Sequence, residues 1–311
     1  VGNNASATVE LLACFHDDDA FKYRAYTFTY LLLFPVAFLY TLPHRNSASC
    51  VVMMNLALSD GSFSLTLPLR LAYYFKGGVW TFPDWLCRLC VYGFYVNLYT
   101  SILFLTLLSM LRWLAVAQPL KHRTLATPTR TVLVCLGVWL FVGMSSVSVF
   151  LRAGSPRCFE PSNPSSWERV LILNYVGLAL GFLIPFLTII ICYSRLIRHL
   201  TQRRRSVHLV TMVTVTFLLC FLPYHVIRSL HLHAVCSRWN CDVTVALQRA
   251  AVVTLCLAAS NSVVNPLLYY YSTRTFRDSM RDAQSSLLSS RAGSSRPTQA
   301  LMRRRRNTTS F

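Results

Sequence analysis

The run Trp85–Pro119, WLCRLCVYGFYVNLYTSILFLTLLSMLRWLAVAQP, is apolar for most of its length, with polar residues at its two ends and near its middle. As one α-helix it is roughly 50 Å long, against a bilayer hydrocarbon core of about 30 Å. It predicts a tilted membrane helix that protrudes on both sides, with the rest of the chain built around it. At about 100° per residue, Cys87, Ser101 and Arg112 fall on one face, while Tyr95, Tyr99 and Ile102 share another. A tyrosine stripe of this kind is ordinarily interhelix packing. A buried arginine at the inner end is harder to explain by packing, because a charge at membrane depth is expensive.

Further apolar segments at about 26–42, 51–75, 131–151, 170–199, 208–233 and 243–271 bring the spans to seven, joined by short loops. The expected fold is an all-α, integral-membrane bundle of seven transmembrane helices over 26–271, after an extracellular segment 1–25. A chain that is 54% hydrophobic and 13% charged is neither disordered nor an ordinary soluble domain. The net charge of +19 raises nucleic acid as a partner, but the placement of the charges argues against it. Glu10, Asp17, Asp18, Asp19, Asp84, Glu160, Glu168 and Asp242 lie in outer segments, whereas Arg and Lys cluster at Arg45, Lys121–Arg130, Arg195–Arg205 and Arg274–Arg306. That asymmetry predicts a multi-pass plasma-membrane protein with its N-terminus outside.

The first twenty-five residues lack an apolar core, so no cleavable leader is expected. Asn4-Ala5-Ser6 is a glycosylation sequon on the outer side. Phe276, Met280, Ala283 and Leu287 recur at helical spacing among arginines, which predicts an amphipathic helix over 272–288 on the inner membrane surface. A disordered basic cytoplasmic tail follows over 289–311. The first span, Tyr26–Leu42, is the short one, rising only about 25 Å.

Asn55-Leu56-Ala57-Leu58-Ser59-Asp60 puts a carboxylate inside the bilayer. It reads either as a protonated, hydrogen-bonded acid or as a cation site, for a sodium ion, with Ser101, Asn261 and Asn265 supplying oxygens. Phe217-Leu218-Leu219-Cys220-Phe221-Leu222-Pro223 carries a mid-helix proline, which makes the sixth span bendable. The pair Cys87-Arg88-Leu89-Cys90 suggests redox chemistry or zinc, but no second pair or nearby histidine completes a metal site. His231 and His233, two apart on a helix, face different ways. No Ser-His-Asp ordering or nucleotide loop occurs, so no enzyme is expected. Asp60 is the single intramembrane acid, where transporters and pumps need several.

Asn265-Pro266-Leu267-Leu268-Tyr269, Leu56-Ala57-Leu58-Ser59-Asp60, the Phe217–Pro223 run, Trp139, and Pro185 with Tyr193 occur in order on successive spans. Together they resemble the rhodopsin family of G-protein-coupled receptors over roughly residues 14–285. Within that family, Leu67-Pro68-Leu69-Arg70 with Tyr73-Tyr74, Tyr95-Val96-Asn97-Leu98-Tyr99, Arg157–Pro161, Phe221–Arg228 and Leu257–Asn261 are similar to the cysteinyl leukotriene receptors, their type 1 branch above all.

The resemblance implies a lipid-derived anionic ligand, a cysteinyl leukotriene, bound from outside. It implies as partners a heterotrimeric G protein of the q class acting through phospholipase C and calcium, and arrestin. Arg70, Arg228 and Lys22 would take the ligand carboxylates, and Tyr95, Tyr99 and Tyr224 would hydrogen-bond and line an apolar slot. Ile102, Pro185, Phe217 and Phe221 would form the switch core. Arg112, Tyr193, Asn265, Pro266 and Tyr269 would rearrange as the inner ends open. The resemblance pairs Cys87 with Cys158. Cys14 with Cys241 is the expected second disulfide, with Cys236 as competitor. Related receptors take nucleotides or dicarboxylates, which stay open as alternatives. The chain departs from the family at Leu111, where an acid is usual, at Trp113, at Arg203 and at Phe221, and its first span lacks the usual Gly-Asn pair. A receptor that binds without signalling is therefore also open.

Overall fold

The computed structural model describes residues 21–29, 47–76, 79–152, 158, 164–198 and 204–272, with backbone alone for 148–152, 164–166, 204–209 and 266–272. Asn4, Cys14, Arg203, the 30–42 portion of the first span and the expected inner-surface helix and tail beyond 272 lie outside these residues. The chain divides into a unit spanning 1–268, which holds the helices discussed below, and a unit spanning 269–311, of which only the end of the seventh span is described.

Among the described residues there is no strand, and six helices are long and apolar enough to cross a membrane. Spans two and three run over Ala48–Phe75 and Asp84–Ala117, with span four beginning at Pro128. Span five covers 164–198, span six 204–236 and span seven Cys241–Ser272. Residues 21–29 are helical as well, five residues ahead of the expected start of span one. Lys22 and Arg24 hide that beginning from an apolar window, although charged side chains are compatible with the last turn outside the hydrocarbon.

Span three packs against spans two, four, five and six, as its length and two-sided pattern predict. Pro83 precedes its first turn, and Gln118 ends it before Pro119, whose ring cannot continue the helix. Ser47 starts span two by accepting the Cys50 N–H on its hydroxyl at 3.3 Å. Pro68 breaks that span into Ala48–Ser64 and Leu67–Phe75, because it has no N–H for the Ser64 carbonyl and its ring clashes there. Thr66 bridges the break by donating to the Phe63 carbonyl at 2.7 Å.

Pro223 was expected to make span six bendable. A widened turn precedes it, π-helix over Phe217–Phe221, and a second one precedes Pro185 of span five, over Gly177–Leu183. The carbonyls four residues before the two prolines, at Gly181 and Leu219, lie inside these segments. The wider turn moves each carbonyl away from the proline ring that would otherwise strike it. Where the two π segments meet, Phe182 stacks on Phe217 at 5.3 Å and on Phe186 at 5.7 Å, and Phe217 meets Phe221 edge-on at 5.4 Å. Ile102, Phe104, Leu105 and Leu108 of span three are fully buried, Phe104 with its ring 6.0 Å from that of Trp139 in span four. The described end of span one packs outward of the phenylalanine layer, with Tyr26 stacked on Tyr74 of span two at 4.6 Å.

Candidate ligand pocket and activation core

At the outer end, Cys87 and Cys158 form a disulfide with Cα atoms 5.7 Å apart across 71 residues. A loop of that length corresponds to about 4 kcal/mol of closure entropy withheld from the unfolded chain. Cys241 is disulfide-bonded, Cys236 is a free thiol, and Cys90 of the C-x-x-C is free and buried. Among the described residues no cluster of His, Cys, Asp or Glu could hold a metal ion.

Below the disulfide, span three presents Tyr95 to span six. Arg228 donates through Nη2 to the Tyr95 hydroxyl at 2.9 Å, and its guanidinium lies 6.0 Å from the Tyr224 ring centre. Neutral phenols satisfy part of this cation, and it has no carboxylate partner among the described residues. Phe94 links Arg228 to Arg70: its ring meets Tyr95 at 5.5 Å and Tyr224 at 6.4 Å, and the Arg70 guanidinium sits 5.1 Å from its centre.

Arg70 does not reach outward to lipid headgroups. It is 3% exposed, lies 5.7 Å from the Phe63 ring centre, and donates to the Cys90 carbonyl at 2.6 Å. The structure thus brings Arg70, Tyr95, Tyr224 and Arg228 together around one phenylalanine that the sequence reading did not single out. Lys22 is buried beside Tyr23, whose ring approaches Tyr74, and so belongs to a neighbouring aromatic group. Tyr99, one turn inward of Tyr95, faces His225, which rests on Phe182 at 4.5 Å.

Asp60 sits at the level where spans two, three and seven meet, and its carboxylate accepts three hydrogen bonds. Asn97 Nδ2 and Ser262 Oγ reach Oδ1 at 3.1 and 2.9 Å, and Asn265 Nδ2 reaches Oδ2 at 2.7 Å. Asn97 also donates to Ser59, which bonds Thr100 at 2.6 Å. Asn97 and Ser262 were not picked out from sequence, since a lone amide or hydroxyl in an apolar helix carries no local signal. Spans three and seven thus supply the donors to Asp60. Ser101 Oγ, Asn261 Oδ1 and Asn265 Oδ1 are buried without hydrogen-bond partners. These three oxygens belong to the donor set expected for a small hard cation.

At the inner end Arg112 is half-buried, next to buried Leu111 rather than an acid. Trp113 has the Arg195 guanidinium of span five 5.7 Å from its ring centre, a contact that substitution of the usual residue makes available. Tyr193 is half-buried on the same span, and span seven runs helically through Pro266 and Tyr269. In the loop helix Pro119–Leu125, partial burial and the nearby Arg112 charge hold the His122 pKa below the ordinary imidazole value.

Seven apolar segments, a disulfide from span three to the second outer loop, proline-widened spans five and six, and a carboxylate cage between spans two, three and seven describe one class of membrane receptor. Residues 32–269 match the 7 transmembrane receptor (rhodopsin family), and the chain belongs to that family. It is a multi-pass membrane receptor, not an enzyme. It is similar to cysteinyl leukotriene receptor 1 of Cavia porcellus, 40% identical over 291 residues covering 85% of each chain. It is also similar to cysteinyl leukotriene receptor 1 of Homo sapiens, 38% identical over 91% of this chain and 92% of the relative. Cysteinyl leukotriene receptor 2 of Mus musculus is 37% identical over 84% and 91%.

Proposed function

We propose that this chain is a plasma-membrane receptor for cysteinyl leukotrienes, with its N-terminus outside, that activates a q-class heterotrimeric G protein and so phospholipase C and calcium release. The observation that carries the ligand reading is Arg228, a cation held by the neutral phenols of Tyr95 and Tyr224 at the outer half of the bundle. A ligand carboxylate supplies the charge those phenols lack. Arg70 stands across Phe94 as the second basic group, and Lys22 as a third. The ligand's apolar chain runs inward along Tyr95 and Tyr99.

Ligand binding shifts the Ile102–Pro185–Phe217–Phe221 layer and favours the state in which Arg112, Tyr193 and Tyr269 rearrange at the inner face. Arrestin would compete for that inner face. A sodium ion held by Asp60, Ser101, Asn261 and Asn265 would favour the resting arrangement. Support for the ligand class also comes from the identity to leukotriene receptors over most of the chain.

The test is a binding screen of cysteinyl leukotrienes, nucleotides and dicarboxylates on the expressed receptor and on Arg228→Ala. A charge-assisted hydrogen bond contributes about 1.5–3 kcal/mol, so Arg228→Ala is expected to weaken leukotriene binding about tenfold or more. Tighter binding of a nucleotide or dicarboxylate than of any leukotriene would replace this reading.

A further inference from the structure

Span five carries Gly177 and Gly181 one turn apart within its π-helical stretch. Both face Tyr99 of span three. A Cβ at Gly181 would stand 2.6 Å from both Cδ1 and Cε1 of the Tyr99 ring. A Cβ at Gly177 would run into the Tyr99 hydroxyl and lie 3.1 Å from Cζ. The tyrosine therefore lies along the bare backbone of span five, in a notch that only residues without side chains leave open.

On the other side of Tyr99 stands span six. The His225 ring is 6.0 Å away, is 1% exposed, and its Nε2 has no hydrogen-bond partner. A Cβ on either glycine displaces the Tyr99 ring from span five, and the His225 ring of span six is an aromatic neighbour it already has. In the pocket proposed above, where the ligand's apolar chain runs along Tyr95 and Tyr99, a displaced Tyr99 ring competes with that chain for space.

We propose that Gly177 and Gly181 are specificity-determining positions: by seating Tyr99 in span five they keep open the inner part of the slot that accepts a long apolar ligand chain. This rests on the reading of the pocket as a site for a lipid-derived anion. It adds which residues set the chain length that the site accepts. Overpacking a filled site costs enough to change affinity by about tenfold or more.

The experiment uses the full-length receptor with Gly177→Ala and Gly181→Ala, each alone and combined with Tyr99→Phe or Tyr99→Leu. Thermal unfolding without ligand reads the notch itself. Each glycine variant is expected to melt lower than the parent. Tyr99→Leu restores both, whereas Tyr99→Phe, which removes the hydroxyl but keeps the ring, restores mainly Gly177→Ala. Failure of Tyr99→Leu to restore either variant overturns the notch.

Competition binding with a cysteinyl leukotriene and its chain-shortened analogue reads the slot. Gly181→Ala is expected to weaken the full-length ligand about tenfold or more and the short analogue by no more than about twofold. Equal losses for both ligands overturn the assignment of chain-length selectivity. If neither ligand binds the unmodified receptor, the leukotriene reading falls and the selectivity claim with it, while the unfolding comparison still decides whether Tyr99 occupies the notch.

Discussion

Replacing Asp60 by alanine or by asparagine separates the hydrogen-bonding role of this carboxylate from its charge. Asp60→Ala strands Ser262 Oγ and Asn265 Nδ2, whereas Asn97 keeps its bond to Ser59. Two buried donors left without acceptors cost about 1–3 kcal/mol each, so the variant is expected to lose about 2–6 kcal/mol. Asp60→Asn keeps an oxygen for Asn97 and Ser262 and turns an amide toward Asn265. The unpartnered Oδ1 of Asn265 can then rotate to accept from it, so this variant is expected within about 1 kcal/mol of the parent. The assay is thermal unfolding of purified receptor, first in sodium-free buffer and then with sodium replacing choline. Sodium is expected to raise the melting temperature of the parent and to leave Asp60→Asn unchanged. The reasoning fails if Asp60→Asn melts as low as Asp60→Ala without sodium, or if it keeps the full sodium shift.

Other outcomes follow from single contacts. Helix six ends with the Trp239 N–H on the Ala234 carbonyl and Arg238 at φ 52°, a left-handed position that glycine favours. Arg238→Gly should therefore raise stability by about 1 kcal/mol, read as a higher melting temperature, and an unchanged or lower value contradicts this. Trp113→Ala removes the face that Arg195 covers and should raise ligand-free nucleotide exchange on the G protein about two- to thirty-fold; exchange equal to the parent argues that the contact does not hold the inner ends. The depressed His122 pKa means the folded loop helix favours neutral imidazole, so its stabilising contribution is present above the ordinary value of 6.5 and fades as pH falls below it. Hydrogen exchange over Pro119–Leu125 should quicken on acidification relative to the same peptide in His122→Gln, and equal pH profiles would remove the histidine from the account.

The spans were legible because their apolar runs are long and their charges sort by side. Arg112 and Asp60 stood out because an ionised group at membrane depth has few innocent explanations. Pro223 marked where span six deforms, but neither it nor Pro185 says that the turn ahead of it widens into π-helix. Arg70 was legible as a basic group but not as an inward one, since its direction is set by Phe63 and Phe94, seven residues before it and twenty-four after. Asn97 and Ser262 reach Asp60 across 37 and 202 residues, and no local pattern records that meeting. Gly177 and Gly181 were invisible for the same reason. Two glycines a turn apart mean little until Tyr99 is seen lying on them.

The central claim is that a cysteinyl leukotriene, held at Arg228, drives this receptor's inner face open toward a G protein. Nucleotide exchange on a purified q-class heterotrimer, with receptor reconstituted in lipid and leukotriene titrated, tests it most directly. The expected result is ligand-dependent exchange in the parent and a titration displaced about tenfold or more to higher concentration in Arg228→Ala, with the same maximum. Saturable leukotriene binding with no exchange would contradict the signalling claim, and an unshifted titration in Arg228→Ala would contradict the site.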